Sequence, residues 1–183
     1  KPGAAPAMEG PKLKISKWEP GAGISVSSAK ERLSTFLGPE IVEGFGESKW
    51  KEAVAALQQA KATFEGSSDA DQGTVKSAIE SCFYYLDATP TWKPKLFQVA
   101  KAVFELVTAM GVLGRENASL KLKRKHVVLP LKLSLAQFSN KKLVPSLSEM
   151  FNIFCEAVGP KFFLGQIVNE LEGLTAPTTV EAL

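Results

Sequence analysis

Apolar residues recur at three- and four-residue intervals through most of the chain, and clusters of Gly, Pro, Ser, Thr or Asp interrupt them. That rhythm predicts a succession of amphipathic helices. The first opens at Ser27 or Ser28, with Glu31 as a capping-box partner for the latter, and carries Ala29, Leu33, Phe36, Leu37 and Ile41. Gly38-Pro39 bends or interrupts it. The second begins after Ser48 and places Trp50, Val54, Leu57 and Phe64 on one face, and Gly66-Ser67-Ser68-Asp69 ends it and caps the next helix. The third, over 71–87, carries Val75, Ile79, Cys82, Phe83 and Leu86. After the turn Ala88-Thr89-Pro90-Thr91, Pro94 stands in the first turn of a fourth, where a missing N–H costs little. Its stripe is Leu96, Ala100, Val103, Val107 and Met110. Over 120–138 the period is ambiguous. Leu131 to Leu135 alternates like a strand and Pro130 intervenes, but the flanking hairpins and the length favour a kinked helix. The sixth carries Leu143, Leu147, Met150, Phe151, Phe154 and Val158; Gly159-Pro160 separates it from a seventh with Phe163, Ile167, Leu171 and Leu174. Thr175-Ala176-Pro177-Thr178 then leads into an eighth that the sequence does not complete.

Hairpin corners fall near residues 50, 94, 141 and 178, a spacing of roughly 37 to 47 that is the rhythm of HEAT-type repeats. The expected fold is therefore all-α: a HEAT-repeat α-solenoid of antiparallel helix hairpins, cut off within its fourth repeat. Hairpins of this kind stack and line up their loops as binding edges. Residues 1–26, with prolines at 2, 6, 11 and 20, read as a Pro/Gly-rich basic linker carrying Lys12, Lys14, Lys17 and Trp18; residues 27–183 read as the domain. The linker either docks on an acidic surface or packs Trp18 on its own domain. The first residue is Lys rather than Met, so the expectation is one part of something longer. No uninterrupted apolar run of about 18 residues suggests a membrane span.

Charge and chemistry narrow the function. The net charge is only +3, but residues 117–148 hold seven Lys or Arg and no Asp or Glu, which predicts one positive face on an otherwise mildly acidic chain. That window could neutralise phosphates, yet it lacks a reading motif and interleaved aromatics, so no nucleic-acid partner is expected. Cys82 and Cys155 lie on apolar helix faces and read as buried free thiols. His126, the sole histidine, sits in a lysine run and reads as a surface residue. With no second histidine and no cysteine pair at ligand spacing, neither a metal, a cofactor nor an enzyme is expected.

Three successive hairpins begin their second helix with lysines: Lys49 and Lys51, Lys93 and Lys95, Lys141 and Lys142 beside Asn140. Lysine is mildly unfavourable at a helix N-terminus. Three such cases in register therefore point to an acidic partner meeting one edge. Trp50 and Trp92 stand at two of these corners. Each either anchors a partner or packs between its own hairpins, burial being the residue-level expectation for Trp50.

Those corners resemble a known family. Ser48-Lys49-Trp50-Lys51-Glu52, followed by Ala55-Ala56-Leu57, resembles the first intra-repeat loop and helix of TOG domains. Thr89-Pro90-Thr91-Trp92-Lys93, with Phe97-Gln98-Val99 after it, is similar to the second loop of the third TOG domain in the large microtubule polymerases. Phe154-Cys155-Glu156-Ala157-Val158-Gly159-Pro160 closely resembles the matching stretch in plant-type members. The resemblance covers about residues 27–183. It implies a HEAT-repeat paddle binding αβ-tubulin or the microtubule lattice along its intra-repeat loops. The tubulin-binding candidates are then Lys49, Trp50, Lys51, Trp92, Lys93, Lys95, Asn140, Lys141 and Lys142, with Trp50 wedged against tubulin. It further implies a monomeric module in a multi-TOG array that promotes microtubule growth, in the cytoplasm at microtubules, spindle or organising centre. Two departures stand out: Ala53 occupies a position where the family commonly has Arg, and the family domain has about six repeats. The alternative is a HEAT-repeat scaffold for another acidic protein, in which the basic stretch from Lys121 to Lys132 would matter more than the corners.

Overall fold

A computed structural model describes residues 24–46, 49–89, 96–120, 122, 124–135 and 137–172. Among them the secondary structure is helical: α1 (Val26–Leu37), α2 (Pro39–Gly44), α3 (Trp50–Glu65), α4 (Gln72–Ala88), α5 (Phe97–Glu116), a 3-10 turn (Ala118–Leu120), α6 (Arg124–Leu135), α7 (Val144–Val158) and α8 (Pro160–Glu172). The all-α expectation holds, and the helices are arranged in two rows. In one row α3 packs on α5 and α5 on α7; in the other α1 packs on α4, α4 on α6 and α6 on α8, while α2 bridges α1 and α3.

Local sequence explains where each element begins. α1 starts two or three residues earlier than expected, because Ser25 rather than Ser27 or Ser28 is its N-cap. The Ser25 and Ser28 side chains close a reciprocal capping box: Ser28 N–H donates to Ser25 Oγ at 3.1 Å, and Ser25 N–H donates to Ser28 Oγ at 2.9 Å. Ser28 thus takes the role expected of Glu31. Gly38, at φ 98°, lets the chain turn sharply into Pro39, so Ile41 belongs to α2 rather than to the α1 stripe. α4 is capped by Asp71, not by the 66–69 stretch; Thr74 N–H and the Thr74 hydroxyl both donate to Asp71 Oδ2 at 2.8 Å. Those two bonds hold the Asp71 carboxyl below its ordinary value.

The stretch read as a kinked helix over 120–138 is shorter and is preceded by the 3-10 turn. Pro130 lies inside α6 and takes one hydrogen bond out of it. The Ser134 hydroxyl donates back to the carbonyl oxygens of Pro130 and Leu131, binding the turn after the proline.

The core runs between the rows. Leu33, Leu57, Phe64, Phe83, Leu86, Met110, Leu147 and Phe154 are almost wholly withdrawn from water. Each such side chain contributes about 1.5–3 kcal/mol of burial. α5 is long and apolar enough by composition to cross a membrane, but most of its apolar window is buried within the domain, packed between α3 and α7. His126 departs from its surface assignment: it is 4% exposed, stacked on Phe83 at 5.7 Å and 5°, with Nε2 3.6 Å from Glu80 Oε1. Contact between α6 and α4 buries it, which a lysine-rich neighbourhood in sequence does not reveal. Cys82 is buried as expected, and burial pushes its thiol pKa up; Cys155 is only partly covered.

Candidate partner-binding edge

The chain crosses from one row to the other three times, between α2 and α3, α4 and α5, and α6 and α7, and side-chain contacts bring these crossings together. Phe45, just before the first, lies 6.4 Å from Tyr85 near the end of α4. Lys142, in the third, places Nζ 5.1 Å from the ring of Phe97, the first residue of α5. At the far ends of α5 and α7, Arg115 donates to Glu156 at 2.8 Å, so these two helices run parallel. The return connections meet on the opposite edge, where the Asn117 side-chain amide and the Ser119 hydroxyl both donate to Gln72 Oε1. One edge therefore collects the crossings into α3, α5 and α7.

The starts of those helices share a second property. Lys49, Leu96 and Leu143 are their N-caps, and none supplies a side-chain hydrogen bond to the first turn. Ser25 and Asp71, by contrast, cap α1 and α4. The N-terminal N–H groups of three neighbouring helices, with their partial positive charge, thus lie along one edge without side-chain caps.

Trp50 is 38% exposed rather than buried between hairpins. It begins α3 one residue beyond the cap, while Ala53, Ala56, Leu57 and Ala60 turn the helix's apolar face inward. Lys51 rests over the indole, its Nζ 5.7 Å from the ring centre. Lys49 pairs with Glu52 at 3.0 Å across exposed surface, so part of its charge is balanced locally. At the third crossing Lys141 and Lys142 are exposed, and the Lys142 N–H donates to Asn140 Oδ1 at 3.2 Å, shaping the turn. Trp92, Lys93, Lys95 and Pro94 lie outside the described residues. α5 itself begins at Phe97.

One apolar contributor to this edge escapes periodicity. Leu96, placed on the α5 stripe by its spacing, is 46% exposed because it is the cap residue and sits before the first helical turn. Its position immediately ahead of a helix start was the available signal.

Two rows of helical hairpins with aligned crossings define an α-solenoid of HEAT type, an architecture that offers its loop edges as continuous binding surfaces. Over 141 residues, 77% of its length, the chain is 29% identical to Protein MOR1 of Arabidopsis thaliana. The match spans 7% of that protein. No protein-family profile matches the chain, and no solved structure does.

Proposed function

We propose that this chain is a TOG-type tubulin-binding module that engages αβ-tubulin, as free dimer or in the lattice, through the edge at which α3, α5 and α7 begin. It serves as one unit of a multi-module array that promotes microtubule growth at the cytoplasmic cytoskeleton. The observation that carries the reading is Trp50: a large aromatic left exposed at a helix start, beside Lys51 and on the edge that also bears Lys141 and Lys142. The resemblance of the stretches from Ser48 to Glu52 and from Thr89 to Lys93 to TOG-domain loops supports the same partner. The mechanism is binding alone. Lysines and uncapped helix starts attract an acidic surface, and the indole supplies the apolar anchor.

Co-migration of the chain with αβ-tubulin on gel filtration at low salt tests it. Trp50→Ala should weaken binding about 30-fold, the cost of a hot-spot residue of ~2 kcal/mol, with helicity unchanged. Lys141→Glu should weaken binding and flatten its salt dependence. Co-migration that neither substitution alters would refute the edge as the site. Failure of the unaltered chain to co-migrate would instead favour a scaffold for another acidic protein.

A further inference from the structure

The third crossing carries an exposed hydroxyl beside the lysines of the edge. Outside the α-helices, the side-chain oxygens of Ser25, Ser67, Thr89 and Ser119 are each held in a hydrogen bond. Ser68 and Ser139 are exposed, and neither hydroxyl is hydrogen-bonded among the described residues. Their surroundings differ in sign. Ser68 precedes Asp69 and Asp71 in the connection from α3 to α4, on the opposite edge. Ser139 is followed at the second and third positions by Lys141 and Lys142, and no Asp or Glu occurs between Glu116 and Glu149. Lys141 is exposed and makes no ion pair among the described residues. Ser139 is thus an unengaged hydroxyl in a purely basic stretch of chain, on the edge where α7 begins.

We propose that Ser139 is a phosphorylation site for a serine/threonine kinase that reads lysines C-terminal to the hydroxyl, and that its phosphate weakens the edge toward an acidic partner, the second step resting on the reading that this edge binds tubulin. Carboxylates of such a kinase meet Lys141 and Lys142. Ser139 Oγ attacks the γ-phosphorus of ATP, the bond from that phosphorus to the β,γ-bridging oxygen breaks, and ADP leaves. The hydroxyl proton passes to the kinase's catalytic carboxylate. The loop is anchored at both ends: Phe138 packs on Phe151 with ring centres 5.3 Å apart, and Leu143 is wholly buried. Between those anchors the Asn140 N–H donates to the Gln137 carbonyl at 3.0 Å, and the Leu143 N–H donates to the Asn140 carbonyl at 2.8 Å. Opening these two turn bonds extends the loop for a kinase without unwinding a helix. Once attached, the phosphate carries a charge of about −2 at neutral pH, enough to offset Lys141 and Lys142. It also competes for Lys142 with the Phe97 ring, which that ammonium covers at 5.1 Å.

The test incubates the whole chain with magnesium ATP and the catalytic domain of a protein kinase C, which selects basic residues after the hydroxyl, and maps the sites by mass spectrometry. Phosphate is expected at Ser139, and the double variant Lys141→Gln, Lys142→Gln should slow its uptake there roughly tenfold, two exposed charge contacts being lost. The phosphorylated chain should bind αβ-tubulin roughly tenfold more weakly and elute earlier from immobilised poly-L-glutamate, with unchanged circular dichroism. Ser139→Ala, treated with the same kinase, should bind as the untreated chain does. Phosphate found only at other positions would overturn the inference. So would phosphate at Ser139 that leaves both tubulin binding and poly-L-glutamate retention unaltered, or an equal loss of binding in the treated Ser139→Ala chain. An unmodified chain that fails to bind tubulin would refute the tubulin reading alone, and retention on poly-L-glutamate then decides what the phosphate does to the edge.

Discussion

Gly44→Ala is the substitution that most directly probes how α2 sets the first crossing. A Cβ built on Gly44 would lie 2.5 Å from the Cβ of Ala56, where ordinary contact begins near 3.4 Å. Neither carbon can rotate away, because each is fixed by its own backbone. The two helices must therefore separate by about 1 Å, or the turn after Gly44 must deform. Overpacking of this kind costs about 1–3 kcal/mol. The gain in helix propensity from Gly to Ala offsets up to about 1 kcal/mol, and less here because Gly44 is the last residue of α2. A net loss of about 1–2 kcal/mol is expected, read as a lowered urea midpoint at unchanged slope by far-ultraviolet circular dichroism. Ala56→Gly alone should cost about 1–2 kcal/mol through propensity and the lost buried methyl. Combining the two moves the methyl from α3 to α2 and relieves the clash. The double variant should therefore be more stable than the sum of its parts by about 1 kcal/mol or more. Gly44→Ala at or above wild-type stability, or strict additivity in the cycle, would refute the close approach. The effect reaches the binding edge, because Gly44 directly precedes Phe45, which seats the first crossing against Tyr85.

Two single groups give further expected outcomes. The Asp71 carboxyl is held below its ordinary value by Thr74, so its contribution is fully present above the unfolded value near pH 3.9 and is lost as pH falls through the lower folded value. Asp71→Asn keeps a capping acceptor without the titration and should flatten acid unfolding below about pH 4; superimposable acid curves would contradict the capping account. Burial raises the Cys82 thiol pKa while Cys155 is partly exposed, so N-ethylmaleimide at neutral pH should modify Cys155 and spare Cys82 until urea is added. Equal labelling of both in the native chain, measured by mass spectrometry, would contradict that burial pattern.

Much of the fold was legible because helix periodicity is a local property. Leu33, Leu57, Ile79, Val107 and Leu147 each fall on the stripe that becomes buried, since a 3.6-residue repeat fixes one apolar face whatever covers it. The corners before α3, α5 and α7 were legible for the same reason, as the places where the stripes break. α6 was the hardest element: a proline and a short alternating run weaken its period, and Ser134 restores a local turn through bonds that no pattern announces.

Sequence alone determined the inward faces of the described helices and the lysines near the starts of α3 and α7. The tertiary structure decided which surfaces meet. It put His126 against Phe83 and Glu80, left Trp50 and Leu96 in solvent, and brought Lys142 onto Phe97 across about 45 residues of chain. The physical reason is that periodicity specifies the face of a helix but not its neighbour. A residue at a helix start or beside a proline takes its exposure from the element packed against it, and only the assembled rows define that element.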